Sequence, residues 1–570
     1  MTFIYTVPPE DWGRIAPVLV LVGMALIVML VDLLLPHAGP RSKDTGPENF
    51  LILPILSFLG VLGALAATIT LFIVGDQKPA FNQMVGTDQG TLYAFMAILT
   101  ASGIGILLSP AYLKRLNLVH QGEYYALMLL ATVGMLFLAA AYNFVIIFVG
   151  VELLSLSLYI LCSYVGRRRA SQESGMKYFL LSSFASAFLL YGIALAYGAT
   201  GRTGFNDIAT FMATNFSQGH APVLLLVAMG LLSVGFAFKV SAIPFQAWTP
   251  DVYQGAPAPV TAFMSVGTKA AALVAFARVF DFVLGPVAGD WIPVVWAIAI
   301  LTIIGGNLMA VVQSNVKRML AYSSIAHGGY LLIGIVAGSA VITKNGAVDK
   351  TSVIGVAAIL FYLLCYAFIN TGAFGAVSML ERLDNSGLDA KDLRGLWYRR
   401  PAVAGFLAFF LLSLAGFPPM AGFASKFFLF SSAIVRGHPE LLIIGVLASV
   451  LGMYYYLRII ATMFMEQREQ APATAGTPAP AVPSTPRRAR TGGLAGGTAT
   501  AVATRPAAAT TAKPSAPATP AGESEEVEQH TWMSWTALGI AALGTLAAGT
   551  VFSFWLIQLA QQVAPNLLTR

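Results

Sequence analysis

Charged residues are scarce in this chain. Asp, Glu, Lys and Arg make up 10% of its 570 residues, and 57% are hydrophobic. Soluble domains average about 25% charged residues, so this composition excludes a soluble globular protein. A membrane-spanning helix needs about 20 apolar residues, and such segments recur along nearly the whole sequence. The composition therefore predicts an all-α polytopic membrane protein.

Cysteine is equally scarce. The chain has two, Cys162 and Cys365, each inside an apolar segment and far from any Cys-x-x-Cys or Cys/His grouping. This pattern argues against a disulfide, an iron–sulfur cluster or a zinc site. The sequence also lacks a glycine-rich nucleotide loop after a strand, a haem ligation pattern and a nucleophile with an adjacent base. We therefore expect no cofactor-binding and no metal-binding residues in this chain.

Fourteen apolar runs are long enough to serve as spans, and we number them 1 to 14. The first, from about Ile15 to Leu35, is long enough to cross a bilayer, so we expect it to be retained and not cleaved as a signal peptide. The predicted ranges are 16–36, 50–74, 91–112, 123–141, 143–165, 176–198, 221–243, 258–280, 291–312, 318–338, 352–379, 402–435 with a break, 440–464 and 532–561.

The loop charges predict the orientation of the spans. Most loop Lys and Arg follow odd-numbered spans, as in Arg167, Arg168 and Arg169 after span 5. Because cytoplasmic loops carry the excess of Lys and Arg, we expect these loops in the cytoplasm and both termini on the outer side. The formal net charge of +7 then reflects orientation, and we expect the lipid bilayer as a partner and no nucleic acid.

Residues 467–530 differ from the rest of the chain. They are rich in Ala, Pro, Thr and Gly, and they end in the acidic run GESEEVEQ. With almost no large apolar side chains they cannot bury a core, so we expect a disordered cytoplasmic linker before span 14. Its arginines either contact anionic lipid headgroups or remain solvated in a tether.

Two lysines lie inside neighbouring spans. Lys239 is near the end of span 7 and Lys269 is in the middle of span 8. A charge at the bilayer centre costs roughly 2.5–3.5 kcal/mol, so such residues usually mark an ion or proton path. Pro244 interrupts span 7 soon after Lys239, which is typical of the discontinuous helices of transporters. The alternative is that the lysines snorkel to the interface and the prolines only end helices.

Polar residues continue along the faces of other spans. In span 5, Glu152 shares a helical face with Ser155 and Tyr159, and Lys239 is its expected cationic partner. In span 8, Thr261 and Ser265 precede Lys269 at four-residue intervals.

The second half of the chain has a comparable set. Span 10 places Ser323, His327 and Tyr330 on one face, and in span 12 a Pro-Pro pair and Gly422 interrupt the helix before Lys426. Each residue also has an alternative interpretation without a proton path. The His327 ring only bonds a neighbouring carbonyl oxygen, and the Lys426 side chain snorkels to the membrane interface.

Spans 7 and 12 are both broken by proline and both carry lysine. They are five spans apart, which gives them opposite orientations, so we expect two inverted five-helix repeats. Glu152 then corresponds to His327, and Lys269 to Arg458. The predicted domains are an N-terminal three-helix segment (1–115), a first repeat of helices 4–8 (120–281), a second repeat of helices 9–13 (290–466), the linker (467–530) and a C-terminal helix (531–570).

Several blocks resemble the subunit N family of bacterial proton-pumping NADH:quinone oxidoreductase, respiratory complex I. They are VELLSLSLYIL, MKYFLLSSFASAFLLYGIALAYG, PFQAWTPDVYQGAPAPVTAFMSVGTKAA, VKRMLAYSSIAHGGYLL and LAGFPPMAGFASKF. The resemblance covers roughly residues 90 to 465. The WTPDVYQGAP block separates subunit N from the related L, M and cation/proton antiporter subunits.

The resemblance implies a translocase subunit of the bacterial cell membrane, with proton transfer through Glu152, Lys239, Lys269 and Lys426. To these our reading of span 10 adds His327. It also implies that flavin, iron–sulfur clusters and quinone are bound by other subunits, and that the partners are the antiporter-like and small membrane subunits. Two features depart from the family pattern: Gln246 replaces a frequent histidine, and the linker has no counterpart.

Burial favours a neutral lysine, and a nearby carboxylate favours the charged form. Movement of Glu152 relative to Lys239 would therefore switch the lysine between holding and releasing a proton. The released proton would pass to Lys269 and then past His327 to Lys426. Two other functions stay open. One is a cation/proton antiporter subunit, although Glu152 is the single mid-membrane carboxylate that the sequence predicts for binding sodium. The other is a structural subunit, which leaves the buried charges unexplained.

The predicted orientation can be tested with a cysteine in the linker. Thr500→Cys should resist an impermeant thiol reagent in intact cells, because the charge asymmetry places this segment in the cytoplasm. Ready labelling of the introduced cysteine would overturn the orientation.

Overall fold

The computed structural model describes residues 7–35, 50–76, 78–116, 121–216, 220–338, 343–344, 347–348, 351–382, 387–465, 532–550 and 552–568. Within these ranges the chain is helical apart from loops and one short antiparallel pair of strands, Thr343–Lys344 with Ala347–Val348. The predicted all-α class is confirmed. The predicted linker, residues 467–530, lies outside the described residues.

Thirteen helices in the described ranges are long and apolar enough to cross a membrane. Span 12 is the fourteenth and consists of two shorter helices, Pro401–Ala415 and Ala421–Val435. The thirteen are Ala16–Leu34, Ile52–Val74, Gln89–Arg115, Gly122–Ala139, Phe144–Cys162, Arg169–Thr200, Val223–Val240, Ala258–Val283, Gly285–Val311, Val316–Gly338, Ile354–Ser378, Pro439–Phe464 and Trp532–Gly549. The predicted count of fourteen spans is therefore confirmed.

Two boundaries differ from the prediction. The first half of span 7 ends at Val240, and a second, short helix, Trp248–Gly255, follows the break and occupies the predicted turn. Span 14 was expected to continue to residue 561 but ends at Gly549, and a further helix, Ser553–Leu568, follows. A side chain at Gly549 would lie 2.3 Å from the Ala421 amide nitrogen, so span 14 ends where it packs against the break of span 12.

Short helices complete the described chain. Pro9–Arg14 precedes span 1, Phe205–Asn215 joins spans 6 and 7, and Leu396–Arg399 precedes span 12. Span 8 ends in a π-helical turn, Arg278–Val283, and a 3₁₀ turn, Gly285–Val287, leads into the α-helix Ala288–Val311 of span 9. Such π-turns occur often at functional sites.

Burial separates central spans from peripheral ones. In the most apolar stretch of span 8 every residue is buried, and in that of span 10 the buried share of residues is 94%. In spans 1 and 13 it is 28%, and large apolar side chains such as Leu33 and Leu447 point outward. A helix that is buried all round lies in the core of the bundle, so span 8 with Lys269 and span 10 with His327 form the centre of the protein.

A buried ion-pair network ties the central spans together where the odd-numbered spans end. The Glu381 carboxylate, after span 11, accepts hydrogen bonds from Arg168 (2.8 Å), Tyr112 (3.2 Å) and Lys317 (3.2 Å). Lys317 also donates to the Ala256 carbonyl oxygen before span 8 (2.6 Å). The side chains of Lys317 and Glu381 are fully buried, so each charge depends on the other for its stability.

Glu381→Gln should destabilise the protein substantially. Breaking a buried pair by removing one charge costs about 3–5 kcal/mol, because Lys317 and Arg168 keep their charges without the carboxylate. The measurement is the midpoint of equilibrium unfolding in mixed micelles. Glu173→Gln is the matched control, since the Glu173 side chain is 62% exposed in its pair with Lys177 and should cost less than about 1 kcal/mol. Equal midpoints for the two variants would contradict the prediction.

Candidate functional site

The break in span 7 is stabilised by hydrogen bonds from neighbouring segments. The first half ends at Val240, and the next residue, Ser241, has the left-handed φ of 64° that is uncommon outside glycine. Trp248 Nε1 donates to the Phe238 carbonyl oxygen (3.1 Å), and the Ile243 amide donates to Thr302 Oγ1 of span 9 (2.9 Å). Non-helical backbone at membrane depth persists where protein supplies such partners.

Lys239 lies in the last turn of the helix before this break and is 4% exposed. Its Nζ donates to Ser155 Oγ of span 5 (2.7 Å) and to Ser182 Oγ of span 6 (2.9 Å). It also lies 5.6 Å from the centre of the Tyr178 ring. The ammonium group is therefore held inside the bundle and does not snorkel.

Glu152 is on the same helix as Ser155, one turn earlier. Among the described ion pairs within 4.0 Å there is none between Glu152 and Lys239, so Ser155 stands in for the direct pair that we expected. Glu152 Oε1 is buried and has no hydrogen-bond partner in the described part of the chain. Ser155 in turn donates to the Val151 carbonyl oxygen. The hydroxyl and the carboxylate lie on one face of span 5, and Lys239 of span 7 contacts that face through Ser155.

The break in span 12 is stabilised differently, by its own lysine. The first half ends at Gly416 with a left-handed φ of 88°, and Lys426 Nζ reaches back to the carbonyl oxygens of Leu414 (2.9 Å) and Ala415 (3.4 Å). These carbonyls belong to the C-terminal end of a helix, where a cation is favoured. The Gly422 amide donates to Ser413 Oγ (3.3 Å), which joins the two halves.

Lys269 is fully buried in span 8. Its Nζ donates to the hydroxyl and the carbonyl oxygen of Ser324 in span 10. The hydroxyl of Tyr366 in span 11 also bonds Ser324 Oγ (3.0 Å). One turn before Lys269, Ser265 Oγ accepts a hydrogen bond from Asn370 (2.7 Å).

His327 lies at the centre of a group of tyrosines. Its Nδ1 is 2.6 Å from Tyr362 Oη, and its Nε2 is 3.4 Å from Tyr456 Oη, which also bonds Ser323. The imidazole ring is 5.1 Å from the Tyr366 ring. The partners of His327 are therefore hydroxyls and not the single backbone carbonyl of the alternative interpretation.

A second polar group joins this cluster to Lys426. Asn307 Nδ2 of span 9 donates to Tyr330 Oη (3.1 Å), and Tyr455 Oη donates to Asn307 Oδ1 (3.3 Å). The Tyr330 ring lies 5.4 Å from Lys426 Nζ and 5.7 Å from the His327 ring. Tyr330 thus connects the histidine and the lysine.

Sequence reasoning missed Ser182 and Ser324. It also missed five residues of the second half: Asn307, Tyr362, Tyr366, Tyr455 and Tyr456. Each is a polar side chain inside an apolar run, and Tyr362 and Tyr366 are four residues apart on span 11. That spacing places two hydroxyls on one helical face. It is the feature of the sequence that could have indicated a polar cluster on span 11. Tyrosine attracts less attention than lysine because it is also common in apolar cores.

The two halves of the site meet at Gly328. A Cβ there would lie 2.6 Å from the Val240 carbonyl oxygen, at the break of span 7, and 3.9 Å from Lys269 Nζ. Only a residue without a side chain allows span 10 to approach this closely. Val240, the residue after Lys239, is thereby in contact with span 10, whose Ser324 binds Lys269.

Two other predicted positions behave differently. Arg458 donates to the carbonyl oxygens of Val311 (2.9 Å) and Gln313 (2.6 Å), at the end of span 9, so it caps a helix and is not joined to the tyrosine cluster by these bonds. Gln246 lies within the break of span 7, and its Oε1 is buried without a described hydrogen-bond partner. Across the described ranges, no group of three or more His, Cys, Asp or Glu residues could hold a metal ion.

The chain is similar in sequence to known membrane proteins. Residues 141–452 match the family model described as NADH:quinone oxidoreductase/Mrp antiporter, TM. NADH-quinone oxidoreductase subunit N of Trichlorobacter lovleyi is 41% identical over 456 residues, which are 80% of this chain and 88% of that protein. NADH-quinone oxidoreductase subunit N 1 of Koribacter versatilis is 38% identical over 473 residues, with coverage of 81% and 88%.

Solved structures extend the comparison. A chain of respiratory complex I from Thermus thermophilus is 29% identical, with a TM-score of 0.66 and coverage of 96% of this chain and 99% of that one. A chain of the Mrp complex from Dietzia has a TM-score of 0.69 at 19% identity, which shows a shared fold alone. The family model matches residues 141–452, and the two subunit N relatives are 38% and 41% identical over 81% and 80% of this chain. The chain therefore belongs to the subunit N family of NADH-quinone oxidoreductase, within the wider NADH:quinone oxidoreductase/Mrp antiporter family.

Proposed function

We propose that this chain is a proton-translocating membrane subunit of an NADH:quinone oxidoreductase, in which Glu152, Lys239, Lys269, His327 and Lys426 carry the proton. The redox centres then belong to other subunits, and the partners are the other membrane subunits of the complex. The single observation that carries the proposal is the run of contacts from Lys269 through Ser324 and the His327 cluster to Lys426, in which hydrogen bonds alternate with ring contacts of 5.1–5.7 Å. In a bilayer, buried ionisable residues of this kind mark proton relays.

The first half of the path uses the lysine at the break of span 7. Lys239 is held by two hydroxyls that accept its hydrogen bonds without fixing its charge. Ser155 lies one turn from Glu152, so a small movement of the carboxylate changes the electrostatic field at the ammonium group. Lys239 then retains or releases its proton according to the position of Glu152.

The second half uses hydroxyls as the intermediate groups. A tyrosine or serine hydroxyl both donates and accepts a hydrogen bond, so it can pass a proton by taking one on one side and giving one on the other. The Ser324, Tyr366 and Tyr362 hydroxyls and the His327 ring supply such groups between Lys269 and Tyr330. Lys426, beside the Tyr330 ring, is the terminal cation of this chain.

The inverted repeats and the orientation are part of the same proposal. Spans 7 and 12 each consist of two helices around a break, and each first half ends at or directly before a residue of left-handed φ, which supports a repeat relationship between helices 4–8 and 9–13. The excess of Lys and Arg in loops after odd-numbered spans supports a cytoplasmic location of these loops and outer termini.

A cation/proton antiporter subunit is the second candidate. It is favoured only by the fold, because the Mrp chain is 19% identical. The subunit N relatives are 38–41% identical, and the described site presents one carboxylate, Glu152, beside its lysines. Sodium binding would favour several converging carboxylates, and this arrangement presents one.

Replacement of Lys239 tests the path directly. Lys239→Met keeps an unbranched stem of similar length but removes the exchangeable proton, so proton translocation should fall by about tenfold or more while the complex still assembles. Lys239→Arg should also be impaired, because arginine does not release its proton in proteins. The measurement is NADH oxidation together with acidification in sealed vesicles that contain the assembled complex.

Lys391→Met is the matched control, since Lys391 is exposed in a loop and should pump at the parental rate. If Lys239→Met also pumps at the parental rate, Lys239 is not on the proton path and the mechanism of the first half is wrong.

Gly328→Ala tests the contact between the two halves. The added methyl group would lie 2.6 Å from the Val240 carbonyl oxygen, so span 10 must move away from the break and from Lys269. We expect slower proton translocation by the assembled complex in the same vesicle assay. Gly230→Ala is the control, because nothing lies within 4 Å of its added Cβ; equal rates for the two variants would rule out a role for the close approach.

A further inference from the structure

The π-helical turn at the end of span 8 contains two buried charged residues with opposite surroundings. Arg278 donates to Asp88 (2.8 Å), Thr91 (2.7 Å) and the carbonyl oxygens of Ala139 (2.8 Å) and Ala141 (3.1 Å). Asp281 is 1% exposed, and neither of its carboxylate oxygens has a hydrogen-bond partner within the described ranges. Burial of Arg278 is explained by its bonds, whereas burial of Asp281 is not.

Asp281 lies where the three central even-numbered spans end. It is twelve residues after Lys269, roughly 18 Å further along the helix at about 1.5 Å per residue. Its Oδ2 is 2.7 Å from the position of a Cβ on Gly338, the last residue of span 10. Arg436, directly after span 12, is close enough for its charge to act on the Asp281 carboxylate.

These three spans run in the same direction, because one span separates each from the next. Span 10 packs against both span 8 and the second half of span 12. Lys269, His327 and Lys426 each lie inside one of them, and Asp281, Gly338 and Arg436 mark their common end. Asp281 is thus the buried acid at the face to which the helices of the proposed proton path lead.

The opposite end of the same bundle provides a contrast. There the buried Glu381 carboxylate bonds both Lys317 and Arg168, which is the arrangement of a structural network. An unpaired ionisable group inside a membrane protein is costly to retain and marks a functional site by default. Gly338 supports this interpretation, since a side chain there would displace the carboxylate.

We propose that Asp281 is a proton-transfer residue between the Lys269–His327–Lys426 chain and the face at which spans 8, 10 and 12 end. The carboxylate takes up a proton released by the chain and becomes a neutral acid. It then gives that proton to a water molecule at the face and returns to the carboxylate. This inference rests on the proposed function of the chain.

The experiment uses the assembled complex in sealed vesicles, with rates normalised to the amount of assembled complex. Asp281→Asn keeps the shape and removes the exchangeable acid, so proton translocation should fall by about tenfold or more. Asp281→Glu restores an acid and should return the rate to within about twofold of the parental protein. Asp207→Asn is the control, since the Asp207 side chain is 66% exposed near the same face and should leave the rate unchanged.

Two further variants keep the outcomes distinct. Gly338→Ala retains the acid but displaces it, so a slower rate supports the proposal if Asp281→Asn does not assemble, and a parental rate overturns it. Lys269→Met reports on the proposed function itself. If Lys269→Met is impaired while Asp281→Asn pumps at the parental rate, the role of Asp281 is wrong and the proposed function stands; if both pump normally, both are wrong.

Discussion

Every backbone polar group at membrane depth needs a partner inside the protein, and the two broken helices depend on this constraint. In span 7 the partners come from outside the helix, through Trp248 and Thr302. In span 12 the carbonyl oxygens at the end of the first half-helix bind Lys426 itself. The two lysines therefore differ: Lys239 bonds side-chain hydroxyls, whereas Lys426 bonds the carbonyl oxygens at the end of a half-helix. In the proposed path, release of a proton by Lys426 would therefore also weaken the cap of that half-helix.

The buried charges that have hydrogen-bond partners fall into two classes. Those bonded to an opposite charge, such as Lys317 with Glu381, join spans that are distant in sequence and are costly to break. Those bonded only to neutral hydroxyls or carbonyls, such as Lys239 and Lys269, are not held in one charge state by a counter-ion. A group that transfers protons needs this freedom to change its charge. The ion pairs instead hold the helices of the bundle together.

Hydroxyl groups set the character of the second half of the site. Tyr362, Tyr366 and Tyr456 surround His327 and Ser324 from spans 11 and 13. Their rings fill the apolar core while their hydroxyls bond to polar groups, a combination that suits tyrosine. The site is therefore polar along the hydroxyls and packed with apolar groups around them.

The sequence by itself determined the number of spans, the breaks in spans 7 and 12 and the lysines beside them, because apolar length and proline act locally. Only the tertiary structure decided which groups meet. Ser155 takes the place expected of Glu152 as the hydrogen-bond acceptor of Lys239, the tyrosines of spans 11 and 13 enclose His327, and Gly328 joins the two halves. The helix Trp248–Gly255 and the end of span 14 at Gly549 were missed for the same reason. These contacts join residues far apart in the chain, and helical periodicity gives the face of a residue but not the neighbour that the face meets.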